Sequence, residues 1–151
     1  MRKILLIIPL LALLACGDDI FNESVVINNA EWKADNTPFF DINVEDTVAI
    51  YSFSLNLRHL ENYKYSNLFV FLHTSFPNGN ITHDTIECVL AFPDGRWAGR
   101  GSGSMRSAEI RLNDRLRFPL KGTYRFEIEQ AMREPVLKGI TDIGIRVSKV
   151  Q

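Results

Sequence analysis

The chain predicts an all-β protein, a single-domain antiparallel β-sandwich of jelly-roll-like type. Three observations carry the prediction. Apolar and polar residues alternate with period two in several short runs, and Gly, Pro, Asn and Asp cluster between those runs. No stretch longer than about ten residues shows a 3.6-residue apolar stripe. Short strands separated by turns pack as two antiparallel sheets rather than as a helical layer.

Val25, Val26 and Ile27 are the first candidate strand, at the end of a polar-to-mixed segment. Tyr51, Phe53, Leu55 and Leu57 then face one way while Ser52, Ser54, Asn56 and Arg58 face the other, which predicts a strand with one buried side. Leu68 to His73 is denser: Leu68, Val70 and Leu72 alternate with Phe69, Phe71 and His73, the pattern of a central strand covered on both faces. Ile86, Cys88, Leu90 and Phe92 mark the next strand, and Pro93-Asp94-Gly95 ends it in a turn.

Arg96 to Ser104 carries Gly99, Gly101 and Gly103 and predicts a loop, with Arg96 to Ala98 as a candidate short edge strand. Ser107 to Phe118 fits neither period, because Ile110, Leu112, Leu116 and Phe118 are unevenly placed. After Lys121-Gly122, Tyr124, Phe126 and Ile128 alternate with Arg125, Glu127 and Glu129 in the clearest amphipathic strand, whose charged face should meet water. Ile143, Ile145 and Val147 against Asp142, Gly144, Arg146 and Ser148 predict the last strand.

Ahead of the domain, Arg2 and Lys3 precede an apolar run from Ile4 to Leu14 that ends in Leu13-Leu14-Ala15-Cys16. That run is too short for a bilayer core needing roughly 20 residues, so it reads as a signal peptide ending in a lipobox. Small Ala15 exposes the bond to the peptidase, and the Cys16 thiol is the expected lipidation site. Several acyl chains on one residue give a durable anchor, since each buried methylene adds about 0.8 kcal/mol. The expected divisions are a signal peptide over 1–15, a lipidated N-terminus and tether over 16–30, and a β-sandwich domain over 31–151.

The full chain has a formal charge of −1, and loss of Arg2 and Lys3 leaves −3. With no basic block, nucleic acid is an unsuitable partner. Only two cysteines are present. Lipidation removes Cys16 from any disulfide, so Cys88 is expected as a free, buried and inert thiol.

Catalytic and metal patterns are missing from the sequence. His59, His73 and His83 are not spaced as a zinc or di-iron pair. His83-Asp84 lacks a Gly-x-Ser-x-Gly elbow for Ser66 or Ser75 to serve. Asp18-Asp19 falls in the expected tether, where nothing would fix a carboxylate separation. Asp41, Glu45 and Asp46 lack the calcium-loop spacing, and Arg100 to Ser104 lacks the lysine of a phosphate-binding loop. The expectation is a protein that is not an enzyme, with no metal and no cofactor beyond the covalent lipid at Cys16.

Recognition chemistry is better represented. Tyr63 and Tyr65 bracket Lys64, Trp97 lies beside the glycine-rich loop, and Met132-Arg133 follows the strand ending near Gln130. Aromatic residues, Met and Arg are enriched where partners are gripped. Arg133, Met132, Trp97, Tyr63 and Tyr65 are therefore the candidate partner-binding residues. Two other uses are open to the aromatics: capping the sandwich core, or forming a stacking platform for glycan.

Several segments together resemble one family. They are Gly122-x-Tyr124-x-Phe126-x-Ile128-x-Gln130-x-Met132-Arg133-x-x-x-Leu137-x-Gly139-Ile140-x-Asp142-Ile143-Gly144, Tyr65-Ser66-Asn67-Leu68-Phe69, Asp84-Thr85, and Asp94-Gly95-x-Trp97-x-Gly99-x-Gly101. This ordered set, covering nearly the whole mature chain, is similar to the gliding motility lipoprotein GldH family of the Bacteroidota. The resemblance implies a non-catalytic, lipid-anchored outer-membrane protein associated with gliding motility and type IX secretion, with other gliding or secretion lipoproteins as partners. Asp18 and Asp19 resemble acidic tags that export lipoproteins to the cell surface, whereas the family association implies periplasmic contacts.

Overall fold

The computed structural model describes residues 18–101 and 103–150. The signal segment, Cys16 and Ser102 lie outside them. Ten strands follow in chain order: β1 (Asp19–Val26), β2 (Glu31–Lys33), β3 (Phe39–Val44), β4 (Tyr51–Leu60), β5 (Asn67–Ser75), β6 (Ile81–Val89), β7 (Met105–Leu116), β8 (Gly122–Gln130), β9 (Val136–Lys138) and β10 (Ile140–Lys149). Among the described residues the one helical element is a short 3-10 turn, Asn28–Ala30.

Eight strands form two antiparallel sheets, ordered β1-β10-β4-β7 and β3-β8-β5-β6, while β2 pairs with β9. Among these eight, only β5 and β6 are chain neighbours within one sheet. Every other connection carries the chain from one sheet to the other. This is the winding of a jelly roll, and the predicted all-β sandwich is the architecture observed.

The alternating apolar sets of the sequence supply the core. Tyr51, Phe53, Leu55 and Leu57 of β4 and Ile143, Ile145 and Val147 of β10 are buried from the first sheet. Leu68, Val70 and Leu72 of β5 and Tyr124, Phe126 and Ile128 of β8 are buried from the second. Each fully buried aliphatic or aromatic side chain contributes about 1.5–3 kcal/mol. Trp32 and Leu137, a register pair of β2 and β9, join the same core.

Four expectations change. The strand β5 is central but covered on one face only, and Phe71 stands exposed on the other. The stretch from Ser107, which fits neither period, belongs to the long edge strand β7 as far as Leu116. Ala108, Ile110 and Leu112 alternate inward, two register shifts follow opposite Tyr51–Ser54, and Leu116 resumes the inward face. Each shift admits an unpaired residue, which is why neither period fits. The strand β3 went unpredicted although Phe40, Ile42 and Val44 alternate inward. Its outer residues Asp41 and Asn43 are poor strand formers.

The fourth change concerns residues 16–30. No long tether separates Cys16 from the domain, because β1 pairs with β10 from Asp19 onward. The Asp18 carbonyl accepts the Lys149 N–H at 2.8 Å. The Asp19 carboxylate accepts from Ser148 Oγ at 2.6 Å and from Arg146 Nε at 2.9 Å. The Ser148 bond first, and then that of Arg146, hold the Asp19 carboxyl below the usual carboxylate range against the opposing effect of burial. The domain therefore begins near Asp18 rather than at residue 31.

Gly144 makes this edge pairing possible. It sits opposite Ser24, and a Cβ there would lie 2.3 Å from the Glu23 carbonyl oxygen and 2.8 Å from the Ser24 Cα. Only the absence of a side chain lets β1 approach so closely.

A candidate partner-binding end

Three connecting segments meet at one end of the sandwich: the 61–66 turn between β4 and β5, the loop over 91–104, and the 131–135 turn between β8 and β9. Backbone bonds tie them together. The Glu61 N–H donates to the Ser104 carbonyl at 2.8 Å, and the Ala131 N–H donates to the Phe69 carbonyl at 2.8 Å. The glycine-rich loop folds back on β7 through the Arg100–Ser107 bridge, and Trp97 bridges to Ala91. Gly99 fits because a Cβ would meet the Ser107 carbonyl oxygen at 2.5 Å. Arg96 to Ala98 forms that single bridge rather than a strand.

Buried Gln130 shapes the 131–135 turn. Its amide Nε2 donates to the Glu134 carbonyl at 2.8 Å and its Oε1 accepts the Met132 N–H at 2.9 Å. A side chain spent on the backbone of its own turn gives no sequence signal beyond a polar residue at a strand end, and sequence reasoning missed it. Glu134 was missed as well. Its carboxylate accepts the Tyr65 hydroxyl at 2.7 Å and lies 3.8 Å from Lys64 Nζ. The same carboxylate holds the Tyr65 hydroxyl protonated, above its usual range.

The five candidate partner-binding residues do gather here, but they divide. Tyr63 is a core residue: it is 4% exposed, its hydroxyl donates to the Asn67 carbonyl at 2.9 Å, and burial raises its pKa well above the usual tyrosine range. Met132 turns inward, its Sδ lying 3.3 Å from the Phe69 amide nitrogen as acceptor, so its thioether serves packing. Trp97 is half-buried against His59, with ring centroids 4.5 Å apart at 59°. Tyr65 is half-buried edge-on to Tyr63, at 5.7 Å and 69°.

Trp97 and Tyr65 are thus each packed on a neighbouring ring, tilted and edge-on, rather than stacked side by side. Arg133 alone of the five is exposed, and among the described residues it forms no ion pair. Lys64 lies exposed nearby, while Phe92 stands beside the Pro93-Asp94-Gly95 turn with the Arg96 guanidinium 5.6 Å from its ring centroid. Phe92 was expected to continue the buried set of β6. The strand instead ends at Val89, and the turn lifts Phe92 out.

Cys88 is fully buried, and burial pushes its thiol up to about 12, so little thiolate forms at neutral pH. His83 and Asp84 are strand neighbours that point to opposite faces, which removes the imagined histidine–acid pair. Two clefts of about 660 and 530 Å³ are lined by neither histidine nor cysteine.

One arrangement escaped the sequence reading altogether. His73 and His83 were read as unrelated, yet the β5–β6 hairpin sets them directly opposite, with their Nδ1 atoms 2.5 Å apart. The hairpin turn at Pro77-Asn78-Gly79-Asn80 was the available signal, since placing it fixes the register.

The chain matches the family model described as GldH lipoprotein over residues 19–147, which spans the jelly roll nearly end to end. It is similar to the "Gliding motility lipoprotein GldH homolog" of Christiangramia forsetii, with 33% identity over 126 residues, 79% of this chain and 78% of the relative. It is also similar to the "Gliding motility lipoprotein GldH" of Flavobacterium johnsoniae, with 31% identity over 153 residues, 96% of this chain and 94% of the relative.

Proposed function

The chain belongs to the GldH lipoprotein family, and from that premise we propose that it is a lipid-anchored, non-catalytic envelope protein that scaffolds or stabilises a gliding motility and type IX secretion complex at the outer membrane. The observation that carries this reading is the extent of the family match, which takes in both sheets and the 131–135 turn. The Flavobacterium johnsoniae relative, covered over 94% of its length, is named for gliding motility. The anchor is the lipid on Cys16, and no step of the proposed role needs a reaction.

Partner contact in this reading runs through the far turns, with Arg133 as the presented cation. A planar guanidinium can grip a carboxylate with two parallel bonds. The partners are other gliding or secretion lipoproteins of the envelope.

The test is deletion and complementation in the source organism, scored by colony spreading and by protein secreted into the medium. Deletion should abolish both, the intact gene should restore both, and Cys16→Ala should release the protein from the membrane fraction without restoring either. Arg133→Ala should keep the melting temperature within a few degrees, as surface changes usually shift stability by less than about 0.5 kcal/mol, while lowering co-purification of the motility or secretion lipoproteins. Unimpaired spreading and secretion after deletion would overturn the assignment. Unchanged co-purification would remove Arg133 from the interface.

A further inference from the structure

We propose that His73 and His83 form a two-imidazole site for a divalent transition-metal ion on the outer face of the β3-β8-β5-β6 sheet. The proposal stands independently of the motility assignment. The two residues form a register pair of the β5–β6 hairpin, so they project side by side from the same face. Leu72, between the strand neighbours His73 and Phe71, points into the core and fixes His73 outward.

The geometry of the pair makes the two Nδ1 atoms converge on one point. His73 Nε2 lies 3.2 Å from Glu129 Oε2, so the carboxylate accepts the Nε2–H and leaves the lone pair on Nδ1. That lone pair faces His83 Nδ1 at 2.5 Å, with ring centroids 4.8 Å apart and planes at 75°. Two ring nitrogens this close share one hydrogen, donated by His83 Nδ1–H to the His73 lone pair. A divalent ion that displaces that proton is held by both nitrogens. Two nitrogens each about 2.0–2.1 Å from a tetrahedral ion stand roughly 3.3 Å apart. Small rotations of two rings on the outer face of paired strands, one of them exposed, open the gap by that amount.

The surroundings suit such an ion. A histidine ligand that donates its other ring N–H to a carboxylate is oriented and made more basic by it, which is the arrangement His73 has with Glu129. Glu127 lies directly across from His73 on β8 and adds negative charge to this face. Arg125, the nearest cation in that strand, is occupied by Asp41 through two 2.7 Å bonds. Imidazole nitrogens select copper, nickel or zinc over calcium and magnesium, which prefer oxygen. Among the described residues no group of three or more metal-ligating side chains assembles, so water completes the coordination.

The full chain, purified in detergent with a tag free of histidine, is titrated with Cu²⁺ alone and with Zn²⁺ alone by calorimetry, and the copper form is examined by electron paramagnetic resonance. One ion should bind per chain, Cu²⁺ more tightly than Zn²⁺, with hyperfine structure from two nitrogens. His83→Ala should remove the site. Glu129→Ala should weaken it roughly tenfold to a hundredfold. His59→Phe, which alters a buried imidazole elsewhere, should leave it intact. His73→Ala should match His83→Ala; should that variant fold poorly, the exposed His83 decides alone. Absence of saturable binding, or affinity unchanged in His83→Ala, would overturn the proposal and leave a histidine pair that shares a proton only.

Discussion

Gly144→Ala should undock β1 while leaving the rest of the jelly roll folded. The added methyl would sit 2.3 Å from the Glu23 carbonyl oxygen, a backbone atom that cannot rotate away. Relief requires β1 to move outward by about 1 Å or more, and overpacking of this kind costs about 1–3 kcal/mol. The loss is bounded by what β1 contributes. None of its eight residues is buried, and Asp19 and Phe21 are the most covered. Phe21 meets Phe40 edge-on at 6.1 Å, a contact worth about 0.5–1.5 kcal/mol beyond its area. Local opening should therefore relieve the clash before global unfolding does. Hydrogen exchange on the full chain reads this directly: β1 amides should exchange roughly 5- to 150-fold faster, the factor that 1–3 kcal/mol corresponds to. The β4 amides bonded to β10 should keep their protection. Unchanged exchange in β1 would refute the steric argument, and loss of all protection together would show that β1 is not separable from the core.

Two further perturbations test the interior. His59 is fully covered, its Nδ1–H donates to the Leu60 carbonyl at 3.0 Å, and its Nε2 has no partner. Burial, with a smaller push from Arg106 and against that hydrogen bond, lowers its affinity for a proton below the usual 6.5. The unfolded chain thus binds the extra proton first, so stability is full above about pH 6.5 and falls as pH drops below it, by at most about 1.4 kcal/mol per pH unit. Denaturant melts of His59→Phe should lack that component between pH 7 and 5, and parallel profiles for the two proteins would contradict the buried neutral imidazole. Cys88→Ser should cost about 1–3 kcal/mol, because it places a hydroxyl on a fully buried apolar face. Fast reaction of native Cys88 with a thiol reagent would contradict the burial.

What the sequence disclosed depended on how far each signal lay within one element. Strands β4, β8 and β10 could be read because their alternation is long and their two faces differ in polarity. The strand β1 could be read only at its end, at Val25 and Val26, since none of its residues is buried and the rest holds by main-chain pairing that leaves no apolar pattern. The strand β7 was hidden by its own bulges. At the candidate partner-binding end, residue type placed the right segments together but not their orientation. Tyr63 and Met132 carry the same recognition chemistry as exposed residues, and only the packing of β4, β5 and the 131–135 turn shows them facing in. The His73–His83 pair needed the hairpin register, which a turn residue misplaced by one would have reversed.

The immediate start of β1 after Cys16 has a mechanical meaning. Two residues reach at most about 7 Å, so a chain lipidated at Cys16 holds its first hydrogen-bonded residue, Asp18, within that distance of the anchor. The start of β1, the end of β10 and the start of β4 then stand next to the headgroups. The Arg133 end lies a β4 length away, ten residues at about 3.3 Å each. Under the proposed anchoring, a pull on the acyl chains would run along β1 and load the β1–β10 ladder in shear, all its bonds at once, rather than first drawing out a slack linker. A partner that grips the far turns is thereby coupled to the membrane through a short, stiff strut.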